Sequence, residues 1–181
     1  MALTLLLGGA RSGKSTLAVS MAKTMGLPTV YIATAEPGDD EMAARIKAHR
    51  DQRPEEWTTI EDPHDVTGAL ARVPGDAVVI LDCLTLWVSN LISRDLTDDD
   101  ITDRARAAAA AAAGRTGSTI AISNEVGSGI VPMHPLSRRY RDLLGIVNAM
   151  WAENAERAYL VVAGRSLALS APADPGGVLD G

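Results

Sequence analysis

The sequence is poor in the features that secreted, membrane and nucleic-acid-binding proteins use most. It has one cysteine, Cys83, in 181 residues, which excludes an intrachain disulfide and a cysteine-rich metal site and fits a reducing cytoplasm. No segment approaches the roughly 20 consecutive apolar residues of a membrane span, and the start of the chain lacks the basic region and cleavage site of a signal peptide. The formal net charge of -6 argues against binding nucleic acid or anionic membranes by bulk electrostatics. We therefore expect a cytoplasmic protein with no membrane span and no nucleic-acid partner.

The strongest positive signal is a phosphate-binding pattern near the start of the chain. The apolar run from Leu3 to Leu7 predicts a strand, and apolar residues recur at helical spacing after Gly13. Between them, Gly8-x-x-x-x-Gly13-Lys14-Ser15 matches the P-loop motif in the strand-to-helix context that the motif requires. The alternative is a chance glycine turn before an ordinary helix, and the flanking context disfavours it.

The motif gives its residues different tasks. Glycines let backbone N–H groups close around an anion, and the following helix directs its positive end at the same point. Lys14 can reach the β- and γ-phosphates of a nucleoside triphosphate, and the Ser15 hydroxyl can ligate the Mg²⁺ that bridges them. We therefore expect a nucleoside triphosphate to bind here with Mg²⁺. The residues assigned to it are Gly8, Gly9, Ala10, Arg11, Ser12, Gly13, Lys14 and Ser15.

The rest of the chain alternates predicted strands with predicted helices. Apolar runs predict strands at 30–33, 57–60, 77–81, 118–123 and 159–163, and helical patterns cover 41–50, 66–72, 84–92 and 136–155. The alanine run at 107–113 predicts a helix because alanine is the best helix former, and the acidic segment 95–103 predicts a turn that caps it. This alternation predicts an α/β fold, with a mostly parallel sheet flanked by helices as in RecA-like P-loop NTPases. We expect one domain over 1–169 and a loose tail over 170–181.

Residues just after the strands are candidates for function, because open α/β sheets bind ligands beyond the carboxyl ends of their strands. Asp82 follows an almost purely apolar strand and can help to hold Mg²⁺ as a Walker-B-like carboxylate; capping the next helix is the alternative. The loop from Ser123 to Pro132 starts with polar residues and contains two glycines. These features favour a functional loop over an ordinary connection.

A second candidate cluster lies around the helix predicted at 41–50. Glu41, Arg45, His49 and Arg53 follow one another at i, i+4 spacing and share a face if the helix runs that far. The ordinary interpretation is a solvated face with a surface ion pair. The chemical interpretation is that arginines bind phosphate oxygens while a neutral imidazole attacks phosphorus. The residues alone leave both interpretations open.

Four stretches of the sequence together resemble one enzyme family. They are GGARSGKS, YIATAEPGDDEMAARIKAHRDQRPEEWTTIEDP, LDCLTLWVSNL and ISNEVGSGIVPMHPLSRRYRDLLGIVN. Over about residues 3–164 the sequence closely resembles the adenosylcobinamide kinase / adenosylcobinamide-phosphate guanylyltransferase family, bifunctional bacterial enzymes of cobalamin nucleotide-loop assembly. The joint occurrence of the four stretches is far more specific than the P-loop alone.

The resemblance implies a two-step chemistry. ATP or GTP first phosphorylates the aminopropanol hydroxyl of adenosylcobinamide. GTP then places GMP on a histidine as a phosphoramidate and releases pyrophosphate, and the GMP passes to the new phosphate to give adenosylcobinamide-GDP. The resemblance therefore implies ATP, GTP, adenosylcobinamide and its phosphate as substrates, Mg²⁺ as cofactor, and a homotrimer as the assembly.

The resemblance also implies roles for individual residues. The family's nucleophile lies in the context R-I-x-x-H-x-x-x-R-P, which here runs from Arg45 to Pro54, so His49 would carry the GMP and Lys14 would assist catalysis at the P-loop. Imidazole titrates near neutrality, and the N–P bond it forms stays reactive enough to pass the nucleotide on. Arginines of the same segment would neutralise charge on the phosphates during transfer. The further nucleotide-binding residues implied are Ala33, Thr34, Ala35, Arg50, Asp51, Gln52, Arg53, Glu61 and Asp82.

Some of these roles stay open at the level of sequence. A carboxylate that accepts from the guanine N1 and N2 hydrogens can select guanine, so Asp82 is a candidate both for the base and for Mg²⁺. The chain has Asn148-Ala149 where family members often carry Asn-Gln, and some members have glutamate at the position of Asp82. Two other functions are compatible with the P-loop: a small-molecule kinase without guanylyl transfer, and a non-catalytic GTP-binding switch.

Overall fold

A seven-stranded sheet forms the centre of the computed structural model, which describes residues 3–38, 50 and 53–171. The strands are β1 (Leu3–Gly8), β2 (Thr29–Ala33), β3 (Thr58–Glu61), β4 (Val78–Asp82), β5 (Thr119–Asn124), β6 (Arg157–Val162) and β7 (Arg165–Leu169). The helices are α1 (Lys14–Met25), α2 (Val66–Ala71), α3 (Leu84–Ser93), α4 (Asp98–Ala113) and α5 (Pro135–Asn154). The strand order is β3-β2-β4-β5-β1-β6-β7, and β7 alone runs antiparallel to its neighbour. The predicted mostly parallel α/β sheet is confirmed.

The apolar strands at the centre of the sheet are covered on both faces. In β4, Val79 and Leu81 belong to the hydrophobic core beneath α2, α3, α4 and α5, while Val78 and Ile80 belong to the core beneath α1. All four side chains are fully buried. Burial on both faces explains why this strand has a continuous apolar run rather than an alternating one.

The alanine run forms a helix, as predicted, and the acidic segment before it is shorter than predicted. Helix α4 already begins at Asp98, and Thr97 is its N-cap: the Thr97 hydroxyl accepts from the Asp100 N–H at 3.1 Å. Asp98, Asp99 and Asp100 therefore lie in the first helical turn, where their charges complement the positive end of the helix. The prediction of an acidic turn over 95–103 was wrong for 98–103.

The sheet has one strand that the sequence did not predict. β7 pairs with β6 in an antiparallel hairpin whose turn places Ala163 at φ 50 and Gly164 at φ 74. Every residue of β7 is exposed, so it lacks the buried apolar run that marks the central strands β1, β2, β4 and β5. Residues 170 and 171 are exposed and outside regular structure; the predicted tail beyond them, and the single domain over 1–169, stay predictions.

The helix predicted at 41–50 lies outside the described residues, apart from its last position. Arg50 is described there as helical and exposed. No helix of the described ranges is long and apolar enough to cross a membrane.

Candidate nucleotide-binding and transfer site

The register of the parallel strands brings most of the predicted site residues together at the carboxyl ends of the strands. Glu61 at the end of β3 pairs with Ala33 at the end of β2, and Ala33 pairs with Asp82 at the end of β4. On the other side of β4, the last residue of β5, Asn124, pairs with Gly8, where the P-loop leaves β1. The carboxyl ends of five neighbouring strands therefore form the floor of the candidate site.

Two P-loop glycines have backbone conformations or neighbours that other residues would not accept. A Cβ on Gly8, whose φ is +155, would lie 2.2 Å from the carbonyl oxygen of Val161. Gly13 has φ +101 and is the N-cap of α1. The loop is also fixed from the β6–β7 hairpin, because the Gly164 N–H donates to the Ser12 carbonyl at 2.8 Å. These contacts hold the phosphate-binding loop in a defined shape.

Lys14 lies inside the loop that it is expected to serve. Its Nζ donates to the carbonyl oxygens of Gly8 at 2.9 Å and Gly9 at 2.8 Å, and the residue is 7 % exposed. It is also the first residue of α1, whose first turn has no acidic residue. The ammonium group and the positive end of the helix therefore act on the same point, as a phosphate site requires.

Asp82 meets the P-loop through its carboxylate. Its Oδ2 accepts from the Ser15 hydroxyl at 3.4 Å and also from the Tyr31 hydroxyl. Burial, followed by the charge of Asp82, raises the pKa of Tyr31 well above its usual value, so this phenol stays a donor at neutral pH. The N-cap of α3 is Cys83, without a side-chain cap. The alternative that Asp82 caps the following helix is therefore wrong.

Thr34 uses its polar atoms within the protein. Its Oγ1 donates to the Cys83 carbonyl at 2.7 Å and accepts from the Cys83 N–H at 2.8 Å, and its N–H donates to the Asp82 carbonyl at 3.0 Å. Its own carbonyl accepts from Asn90 Nδ2 at 2.8 Å. Thr34 thus ties the ends of β2 and β4 together behind Asp82. A nucleotide contact from residues 33–35 stays a prediction.

An open cleft of about 640 Å³ lies along β3, at the edge of the sheet. Its lining includes Arg50, Arg53 and Glu61, three residues that the family resemblance assigns to the nucleotide. Arg50 and Glu61 form an ion pair, and because both side chains are more than half exposed, that pair is weak and can be exchanged for a ligand. The cleft has the size of a small-ligand site.

Arg53 lines the cleft and contacts Tyr31, whose hydroxyl in turn donates to Asp82. Its guanidinium lies over the ring of Tyr31, 3.6 Å from the ring centroid, and its Nη1 donates to the Thr59 hydroxyl at 3.3 Å. Its Nε is buried and has no hydrogen-bond partner in the structure described. The stack on Tyr31 and the bond to Thr59 therefore hold Arg53 in place.

His49, Asp51 and Gln52, three of the predicted site residues, lie outside the described residues. Their contacts and the assignment of His49 as nucleophile stay predictions. Arg50 and Arg53, which stand on either side of Asp51 and Gln52 in the sequence, both line the cleft.

Sequence reasoning missed two contributors to the site. Tyr31 was only a residue of a predicted strand, and nothing in its pattern showed that its hydroxyl reaches Asp82. Gly164 lies in a hairpin that was not predicted at all. Asn148, noted above only for its neighbour Ala149, is buried and donates from Nδ2 to the Asn124 carbonyl at 3.0 Å, so it supports the start of the 123–132 loop.

Comparison with known proteins shows the family to which the chain belongs. The profile of the family described as cobinamide kinase / cobinamide phosphate guanyltransferase matches residues 4–169. The chain belongs to this family. It is 44% identical over 167 residues to the bifunctional adenosylcobalamin biosynthesis protein CobP of Pseudomonas aeruginosa, with 91% of this chain and 95% of that protein covered. It is 38% identical over 173 residues to the protein CobU of Escherichia coli K12, which is also described as bifunctional, covering 88% of this chain and 95% of the relative.

Solved structures of lower sequence identity share the fold. The RadB recombinase matches with a TM-score of 0.51 at 18% identity, over 88% of this chain and 73% of that one. An ATPase of a bacterial type III secretion system matches with a TM-score of 0.54 at 12% identity, over 92% of this chain and 56% of the other. At such identities the likeness shows the RecA-like P-loop fold alone.

Proposed function

We propose that this chain carries out both reactions of its family: phosphorylation of adenosylcobinamide by ATP or GTP, then guanylyl transfer from GTP to the product. One observation supports this more than any other. Glu61, which lines the cleft together with Arg50 and Arg53, ends β3 on the same carboxyl side of the sheet on which the P-loop leaves β1. A triphosphate held by the loop therefore has a phosphate cradle at β1 and basic residues on the same side of the sheet, at β3.

In the kinase step, the corrinoid hydroxyl attacks the γ-phosphorus and the nucleoside diphosphate leaves. The loop N–H groups and Lys14 neutralise the charge that spreads over the phosphoryl oxygens, which is the main protein contribution to this chemistry. The carbonyl oxygens of Gly8 and Gly9 hold the Lys14 Nζ within the loop.

In the guanylyl step, a nitrogen of His49 attacks the α-phosphorus of GTP, and pyrophosphate leaves. An oxygen of the corrinoid phosphate then attacks the same phosphorus, the N–P bond breaks, and the histidine is regenerated. Arg53 and Arg50, which both line the cleft, bind the phosphate oxygens during transfer. Glu61 is the residue we propose for the guanine, because its partner Arg50 is exchangeable and a carboxylate matches the guanine N1 and N2 hydrogens.

The donor atoms near the P-loop fit Mg²⁺. Ser15 and Asp82 place a hydroxyl and a carboxylate side by side, and Mg²⁺ takes a few protein oxygens together with substrate phosphates and water. Within the described ranges, no three residues of the types His, Cys, Asp and Glu gather into a protein-only metal cluster. We propose that Ser15 and Asp82 hold the ion, which would neutralise the phosphates. In this proposal Asp82 binds the metal ion, and Glu61 binds the guanine base of GTP.

Covalent labelling tests the proposal. The protein is incubated with Mg²⁺ and GTP labelled at the α-phosphate, and protein-bound label is tested for the acid lability and alkali stability of a phosphoramidate. We expect label on the wild type and none on His49→Ala. His134→Asn is the matched histidine control: His134 caps α5 by accepting from the Leu136 N–H, and asparagine is a good N-cap.

The outcomes separate the competing functions. Label that persists in His49→Ala would remove His49 as the nucleophile. Wild-type protein that phosphorylates the corrinoid without taking up label would be a kinase only, and GTP binding with neither reaction would indicate a switch.

We further propose a homotrimer, as the family resemblance suggests, and a place in the cytoplasm, as the single cysteine suggests. Light scattering on purified protein tests the assembly.

A further inference from the structure

Tyr31 is a buried tyrosine that lies between Asp82, next to the P-loop, and Arg53, in the cleft. It is 2 % exposed and lies in β2, with its ring in the core beneath α1. Its hydroxyl donates to Asp82 Oδ2, the same oxygen that accepts from the Ser15 hydroxyl. Its ring carries the guanidinium of Arg53. One side chain therefore contacts both the carboxylate next to the P-loop and the arginine of the cleft.

We propose that Tyr31 is a positioning residue that sets the Mg²⁺ dependence of nucleotide binding by orienting Asp82, and that the Arg53 guanidinium stacked on its ring holds it in place. This inference rests on the proposed function only in taking Ser15 and Asp82 as the residues that hold the ion.

The geometry explains why a hydroxyl at this point matters. Asp82 is only partly buried, and among the described residues its carboxylate accepts from the Tyr31 phenol and, at 3.4 Å, from the Ser15 hydroxyl. A residue that fixes a metal-binding carboxylate typically changes metal affinity by about 10–100-fold when it is removed. The ring stays in place when only the hydroxyl is lost, since it is packed among Ala18, Ile80 and the other residues of that core.

The stacked arginine makes the orientation of Asp82 depend on a residue of the cleft. A cation lying 3.6 Å from the ring centroid is favourable and restricts the ring. Arg53 is fixed in turn by Thr59 on β3. A change at Arg53 is therefore transmitted through Tyr31 to Asp82, although Arg53 has no described hydrogen bond to that carboxylate.

The test measures nucleotide binding rather than turnover. The dissociation constant of a fluorescent GTP analogue whose α–β bridge cannot be cleaved is measured over a series of Mg²⁺ concentrations and compared with its value in EDTA. For Tyr31→Phe we expect the half-saturating Mg²⁺ concentration to rise about tenfold with an unchanged affinity in EDTA. Tyr159→Phe is the matched control, because Tyr159 packs against the same core and its hydroxyl makes no hydrogen bond among the described residues. An unchanged Mg²⁺ dependence in Tyr31→Phe would overturn the proposal.

A double-mutant cycle tests the role of Arg53. Arg53→Ala should raise the half-saturating Mg²⁺ concentration in the wild-type background and change it little in Tyr31→Phe, because coupled residues are not additive. Equal shifts in both backgrounds would overturn the link through the ring. Binding is measured without the corrinoid and without transfer to His49, so the result stands even if the labelling experiment fails.

Discussion

At the scale of single residues, Cys83 shows how the site sets chemical reactivity. Burial, with the neighbouring Asp82 carboxylate as the second cause, raises the pKa of Cys83 to about 12, against roughly 8.5 for an ordinary cysteine. A raised pKa means that the thiol keeps its proton at neutral pH. Because the thiolate is the reactive form, the single cysteine of this chain should be inert although it stands beside the candidate metal ligand.

This predicts slow alkylation of the native protein. At pH 8 we expect iodoacetamide to modify Cys83 at least about tenfold more slowly in the folded protein than in protein unfolded in urea. The native rate should continue to rise between pH 8 and pH 11, whereas the rate of the unfolded chain levels off above its lower pKa. Mass spectrometry gives the yield, with Cys83→Ser as the blank. A native rate equal to the unfolded rate would contradict the raised pKa.

Single residues also show which contacts could not be predicted from the sequence. Lys14 and Ser15 were found because the P-loop is a local pattern, and their neighbours in space are their neighbours in sequence. Tyr31 and Asp82 are 51 positions apart, and only the parallel pairing of β2 with β4 brings them together. A contact of that kind has no local signal.

At the scale of elements, the β6–β7 hairpin was missed for two physical reasons. All of β7 is exposed, so it has no buried face to give a period of two. Its turn sequence is Ala163-Gly164, with both residues at positive φ, instead of the Asn-Gly pair that signals such turns. β4 and the alanine helix α4, in contrast, were predicted because apolar burial and helix propensity are properties of the local sequence.

The strained turn predicts a stabilising substitution. Alanine at φ 50 carries the cost of a left-handed conformation, about 1–2 kcal/mol for most residues, which asparagine tolerates better. We expect Ala163→Asn to raise the free energy of unfolding by about 1 kcal/mol, or the melting temperature by about 2–4 °C for a chain of this size. Ala163→Val should be destabilising, because a branched side chain fits positive φ worst. Urea denaturation measures both, and a destabilised Ala163→Asn would contradict the argument.

The same hairpin has a consequence for the phosphate site. The Gly164 N–H donates to the Ser12 carbonyl, and the carbonyl oxygen of Val161 leaves no space for a Cβ on Gly8. An element at the edge of the sheet therefore supports the loop at its centre. The hairpin is part of the machinery that shapes the P-loop, even though none of its residues is a candidate for chemistry.

At the scale of the whole molecule, the proposed function has one loop hold triphosphates for attack at two different phosphorus atoms, the γ-phosphorus in the kinase step and the α-phosphorus in guanylyl transfer. The order of strands explains how one site can do so. The P-loop leaves β1, the carboxylate that we propose for Mg²⁺ ends β4, and the arginine cleft lies at the β3 edge, so the γ- and α-phosphates of one triphosphate can face different residues along the carboxyl ends of the strands. Under the proposed function, both reactions depend on Lys14 and only guanylyl transfer depends on His49.

This predicts different patterns of loss for two variants. Lys14→Ala should lose both phosphorylation of the corrinoid and formation of the GMP–protein adduct, each by at least about 100-fold, since one preorganised donor to developing charge contributes that much. His49→Ala should lose the adduct and keep the kinase. Lys23→Ala, at the exposed end of the same helix, is the matched control and should keep both activities. The two reactions are assayed separately, with γ-labelled ATP and α-labelled GTP. An adduct that still forms in Lys14→Ala would mean that guanylyl transfer does not depend on Lys14.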